Sequence, residues 1–152
     1  MTPGKISKKV VSERTSLIKE MLSDIKELPL GSLEEFLGDK RNVASAESYL
    51  RRALEGLLDL GRHILAKAFG HPVTEYKEIA RGLLEKEVLT EKEAELLTKM
   101  AGYRNRMTHF YHEITSEELY EICRDHIDEV TLVLDRLIEW LKANRDRIDE
   151  RG

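Results

Sequence analysis

At 152 residues the chain suits one domain with a continuous core, and 41% hydrophobic with 36% charged residues describes a folded protein with a heavily ionised surface. A formal charge of −4 excludes broad coating of nucleic acid, which needs a basic surface, so any such role must come from a confined cluster of cations. Short apolar runs exclude a transmembrane helix, no signal-peptide stretch is evident, and a lone Cys123 excludes both an intrachain disulfide and a cysteine metal cluster. A single cytoplasmic domain over residues 1–152 is the expectation.

Apolar residues recur at helical spacing almost throughout, and no segment keeps the period-two alternation of a strand. Val10, Leu17, Met21, Ile25 and Leu28 form a first stripe that ends at Pro29 and Gly31. Ser32-Leu-Glu-Glu35 has the form of a capping box and opens a short helix closed by Gly38. A long helix follows, with Val43, Ala46, Leu50, Ala53, Leu57, Ile64, Leu65 and Ala68 on one side, and stops at Phe69-Gly-His-Pro72. Thr74 is placed to cap a helix carrying Ile79, Leu83 and Leu84.

A second capping box, Thr90-Glu-Lys-Glu93, starts a helix running through Leu96, Leu97 and Met100 toward Arg104. Thr115 or Ser116 then caps one long C-terminal helix through Leu119, Ile122, His126, Val130, Val133, Leu137 and Leu141. The first few residues and Asn144–Gly152 read as fraying ends. The expected fold is therefore an all-α, up-down antiparallel bundle of three long helices and two or three shorter ones.

The densest chemistry lies in Tyr103-Arg-Asn-Arg-Met-Thr-His-Phe-Tyr111, which gathers Arg104, Asn105, Arg106, His109 and Tyr111. A guanidinium can hold a phosphate with two donors and stabilise the charge that builds on it. An imidazole near its ordinary pKa can give or take a proton, and the Asn105 amide can orient either partner. These groups suit internal attack on RNA, in which a ribose 2′-OH is deprotonated and displaces the 5′-oxygen at the adjacent phosphate. No carboxylate cluster is present to hold magnesium, so no metal is expected. Arg104 and Tyr111 share one helix face, but His109, five residues from Arg104, falls roughly 140° around the axis. Either the helix ends near Met107 or a second subunit completes the site.

Other polar residues have plainer readings. His109 and His112 lack the further ligands of a metal site. His126 falls on the apolar stripe of the last helix, while Arg62, His63 and His71 read as surface residues and Cys123 as a small buried filler. Glu55 and Asp59, one turn apart on the long helix, are either solvated ion-pair formers or carboxylates that orient Arg104 or His109 from a facing helix. Arg106 has two options, phosphate or a neighbouring carboxylate.

Arg104, four intervening residues, His109, Phe110 and Tyr111 match the R-x4-H-x-Y form of the motif of HEPN domains. The chain resembles the HepT toxins of that superfamily over most of its length. The likeness includes Ser32-Leu-Glu-Glu-Phe-Leu37, Ala53-Leu-Glu-Gly-Leu-Leu-Asp-Leu-Gly-Arg-His63 and Ala101–Tyr111. The resemblance implies a homodimeric helical bundle acting as a metal-independent endoribonuclease, with Arg104 and His109 catalytic and Asn105 and Arg106 in support. It further implies a cognate MNT-type nucleotidyltransferase antitoxin that silences the toxin by transferring AMP to Tyr111. The alternative is a non-catalytic helical subunit that binds nucleotide or docks such a transferase, which the acidic net charge also suits.

Overall fold

In the computed structural model, which describes residues 5–108 and 114–151, seven α-helices account for most of the described chain. They are α1 (Lys8–Lys26), α2 (Leu33–Leu37), α3 (Lys40–Phe69), α4 (Tyr76–Glu85), α5 (Glu91–Thr108), α6 (Ser116–Asp125) and α7 (Ile127–Ala143). The 30-residue α3 is the axis of this all-α bundle. Its buried positions include neighbours in sequence, Leu57 with Leu58, Leu60 with Gly61 and Ile64 with Leu65, so it is covered on several sides rather than along one stripe. It packs against α1, α2, α4, α5, α6 and α7.

Local chemistry sets most helix boundaries where the sequence places them. The Ser32 and Thr115 hydroxyls accept from the backbone N–H groups of Glu35 and Glu118, each at 3.1 Å. The Thr90–Glu93 box is reciprocal: the Thr90 N–H donates to Glu93 Oε1 at 2.8 Å, and the Glu93 N–H donates to Thr90 Oγ1 at 3.4 Å. Gly70 closes α3 at φ 59°, a left-handed conformation natural to glycine, and lets the N–H groups of Gly70 and His71 reach Ala66 O and Leu65 O.

Two expectations are corrected. Thr74 does not cap α4: the cap residue is Glu75, with no side-chain capping bond. The expected single C-terminal helix is two, because the backbone leaves helical geometry at His126 (φ −118°, ψ 3°). Both halves pack on α3, but α6 also meets α2 whereas α7 meets α5. His126, expected as a satisfied core or seam histidine, is satisfied but only half-buried at this break; its Nδ1 pairs with Glu129 at 2.8 Å, and Glu129 also holds Lys99 at 2.9 Å.

The C-terminal segment is also not a frayed end. Two short strands, β1 (Ile6–Ser7) and β2 (Ile148–Asp149), pair in parallel and tie the termini together. Ile6 is fully buried, Lys8 pairs with Glu150, and Arg147 lies over the rings of Phe69 and Trp140 while donating to Ala68 O at 3.0 Å.

His63 belongs to this tie rather than to the surface, because its Nε2 accepts the Ser7 N–H at 3.0 Å. Burial, helped by Lys67 and Arg14, holds its imidazole below the ordinary value of 6.5. Above pH 6.5 the ring is neutral in both folded and unfolded chains, and the bond contributes in full. Below it the unfolded chain takes up the proton first, so stability falls as pH drops from 6.5 toward the folded value. Urea midpoints at pH 7.5 and 5.5 should show this loss, and His63→Ala should remove its share; an unaltered pH dependence in that variant would exclude His63 as the source.

Candidate active site

The Thr90 box starts α5 so that Ala94, Leu97, Met100 and Ala101 are buried, and Arg104 then emerges one turn beyond Met100. Its guanidinium crosses to α3, where Nε and Nη2 both donate to Glu55 Oε2, at 3.1 and 2.9 Å. Arg51 reaches the other oxygen of Glu55 at 3.2 Å, so the carboxylate is shared between two guanidiniums. Nη1 of Arg104 points toward Asn105 Oδ1 and Thr108 Oγ1, both at 3.4 Å. Of the two readings for Glu55, the orienting one is what the geometry shows for Arg104.

One turn along α3, Asp59 repeats the device. Its Oδ1 accepts from Arg62 Nη2 at 2.5 Å and from the Tyr76 hydroxyl at 3.1 Å. Arg62 also donates to Thr74 O at 3.3 Å. The Tyr76 ring lies beside both cations, its centroid 5.0 Å from the Arg62 guanidinium carbon and 4.7 Å from that of Arg104. Burial first, then the Asp59 charge and hydrogen bond, raise the Tyr76 phenol above its usual range, so it stays a donor at neutral pH. Together these groups form an open recess of about 560 Å³ lined by Arg62, Thr74, Glu75, Tyr76, Lys77, Arg104 and Asn105.

The expected site residues therefore part company. Arg104 and Asn105 line the recess, whereas Arg106 is turned to α6 and grips Glu118 through two 2.6 Å bonds. That hydrogen bonding holds the Glu118 carboxyl below its usual value, so the pair is ionised at neutral pH. The divergence follows from helix geometry, since residues two apart point to opposite sides. α5 is helical through Thr108, the last described residue before the motif histidine, so the choice between a helix end near Met107 and a site completed by a second subunit stays open. His109 and Tyr111, with His112, lie outside the described residues.

Arg62, Tyr76 and Lys77 also line the recess, and the sequence did not single them out for it. The one available signal was the ionised set Glu55, Asp59 and Arg62 at i, i+4 and i+7, which shares one face of α3. Cys123 is the buried filler expected, its thiol pushed up to about 12 by burial. Among the described residues, no three His, Cys, Asp or Glu side chains converge as a metal site, and no helix is long and apolar enough to cross a membrane.

A family model described as ribonuclease HepT-like matches residues 18–137. The tRNA nuclease HepT of Aphanizomenon flos-aquae is 25% identical over 112 residues, covering 73% of this chain and 76% of that protein. Among solved structures, the tri-AMPylated HEPN toxin of Shewanella oneidensis, in complex with MNT antitoxin, superposes with a TM-score of 0.77 at 20% identity. That match covers 86% of this chain and 97% of the toxin. YutE of Bacillus subtilis, described as a cytosolic protein of unknown function, gives a TM-score of 0.75 at 18% identity, over 91% of this chain and 94% of its own. At these identities the structural likenesses establish the fold.

Proposed function

The chain belongs to the ribonuclease HepT-like family, and on that premise we propose that it is the ribonuclease toxin of a toxin–antitoxin pair, cutting RNA without a metal and silenced by AMP transfer to Tyr111. The observation that carries this reading is Arg104, fixed by Glu55 at the edge of a polar recess and placed in the R-x4-H-x-Y motif ahead of His109 and Tyr111. The name of the relative from Aphanizomenon makes tRNA the first RNA to test.

In the proposed reaction a base removes the ribose 2′-OH proton, O2′ attacks the adjacent phosphorus, and the bond to the 5′-oxygen breaks as that oxygen takes up a proton. His109 supplies this acid–base work, Arg104 holds the non-bridging oxygens as charge builds on them, and Asn105 steadies the guanidinium. Arg106 supports the site by fixing the end of α5 to α6 through Glu118. A homodimer brings two such motifs together across one cleft.

The partner is an MNT-type nucleotidyltransferase, the class of antitoxin bound by the AMPylated Shewanella toxin. The Tyr111 phenol oxygen attacks the α-phosphorus of ATP, pyrophosphate leaves, and the phenol proton passes to solvent. The added phosphodiester brings negative charge and bulk beside His109, which repels RNA. Cytoplasmic tRNA would be the target of the unmodified form.

AMP-free protein is expected to cut tRNA in EDTA, leaving 2′,3′-cyclic phosphate ends, and His109→Ala is expected to lose that cutting. Co-expression with the transferase should add mass in whole AMP units on Tyr111 and abolish cleavage. Intact tRNA after incubation with AMP-free dimer would leave only the docking role.

A further inference from the structure

We infer that Arg62 and Lys77 form a second phosphate subsite beside Arg104, which takes the phosphodiester neighbouring the scissile one on a single strand of RNA. This rests on the ribonuclease reading above and extends it by two residues that the family motif does not contain.

The first support is the fixing of Arg62. Asp59 accepts a hydrogen bond from Nη2 and the Thr74 carbonyl accepts one from Nη1. A guanidinium carries five N–H donors, so these two bonds orient the fork without exhausting it. An i,i+3 ion pair on a helix surface contributes little to stability by itself. Here the guanidinium lines the recess with its side chain 36% exposed, positioned by groups on both α3 and the segment before α4.

The second support is charge. The protein carries −4 overall, yet the recess lining presents three cations, Arg62, Lys77 and Arg104, against the single carboxylate of Glu75, while Asp59 and Glu55, which pair with Arg62 and Arg104, lie outside that lining. Cations at the wall, with their paired carboxylates outside it, favour a polyanion at close range. The third is spacing. The Arg62 and Arg104 guanidinium carbons lie 5.0 and 4.7 Å from one ring centroid, so they are no more than 9.7 Å apart. An extended RNA backbone covers such a separation in one or two nucleotide steps. Tyr76 lies within cation–π reach of both guanidiniums with its hydroxyl committed to Asp59, so the ring helps hold the two cations side by side.

The test uses full-length protein carrying His109→Ala, so that RNA stays intact, and a fluorescein-labelled single-stranded RNA of twelve nucleotides. Binding is followed by anisotropy across a range of sodium chloride concentrations. Each phosphate contact to a single strand contributes about 0.7 to the slope of log K against log salt. Arg62→Ala is expected to lower that slope by about 0.7 and weaken binding several-fold at physiological salt, while Arg62→Lys keeps the slope. Lys77→Ala, at an exposed position outside the core, should lower the slope similarly without disturbing the Asp59 cluster.

Slopes equal to that of the parent in both alanine variants, or no RNA binding by the parent, would overturn the subsite. Cleavage of the same RNA and of tRNA by the AMP-free protein that retains His109 is measured alongside. If the RNA is bound with Arg62-dependent slope but neither RNA is ever cut, the ribonuclease reading fails while a phosphate site at Arg62 and Lys77 stands. If either is cut and the slopes do not move, the subsite alone fails.

Discussion

Arg104→Ala is expected to lower kcat/KM for RNA cleavage by about 10²–10³-fold, the usual cost of removing one preorganised charge stabiliser from a transition state. The fold should survive the change. Arg104 has about a quarter of its side chain exposed, and Glu55 keeps Arg51 as a partner, so no buried carboxylate is stranded. Arg104→Lys should rescue little. The guanidinium uses two donors on Glu55 and still offers a flat edge to phosphate, whereas an ammonium is a point charge on a flexible stem.

Glu55→Gln separates holding from catalysis. It preserves shape but weakens the charge-assisted clamp, so kcat should fall by less than in Arg104→Ala while the melting temperature changes little. Steady-state kinetics with thermal unfolding monitored by circular dichroism distinguishes these cases. Arg104→Ala retaining cleavage within twofold of the parent would remove Arg104 from the mechanism.

What could be read beforehand was what depends on a few neighbouring residues. Ser32, Thr90 and Thr115 act as caps through atoms three residues away, and Gly70 stops α3 through its own backbone. Such chemistry is local, so it is written in local sequence. The break at His126 is different in kind: beyond α3, α6 meets α2 whereas α7 meets α5, and the surrounding period of three to four residues continues across it. The pairing of Ile6–Ser7 with Ile148–Asp149 joins segments too short to show any period.

The site divides in the same way. Arg104 and Asn105 stand in a compact motif, and Glu55 was recognisable as a carboxylate able to face it. Tyr76 reaches the recess only because α4 folds back on α3, and Arg62 acquires its role only once Asp59 and Thr74 aim it there. A surface arginine and a site arginine look alike until the tertiary neighbours are known.

That folding back rests on a seam of two glycines, and Leu65→Ala should expose it. Leu65 on α3 is fully buried and seated over Gly82 of α4; a Cβ added to Gly82 would lie 2.8 Å from Leu65 Cδ1. Reciprocally, a Cβ on Gly61 of α3 would meet Ile79 Cγ2 and Leu83 Cδ1, both at 3.0 Å. Truncating Leu65 removes buried methyl groups and leaves a cavity between helices pressed this closely, at an expected cost of about 2–5 kcal/mol. For a chain of this size that lowers Tm by on the order of 10 °C.

Gly82→Ala alone should be nearly neutral. The displaced atom is the end of a flexible side chain, and alanine gains about 1 kcal/mol over glycine in a helix interior. In Leu65→Ala the obstructing methyl is gone, so the new Cβ enters vacated space. The double variant should then recover more than Gly82→Ala contributes by itself, a favourable coupling measurable from urea midpoints of all four proteins. Strict additivity would mean that Leu65 and Gly82 do not share that space. Because α4 carries Tyr76 to Asp59, recovery of the seam should be accompanied by recovery of RNA cleavage at temperatures where Leu65→Ala is partly unfolded.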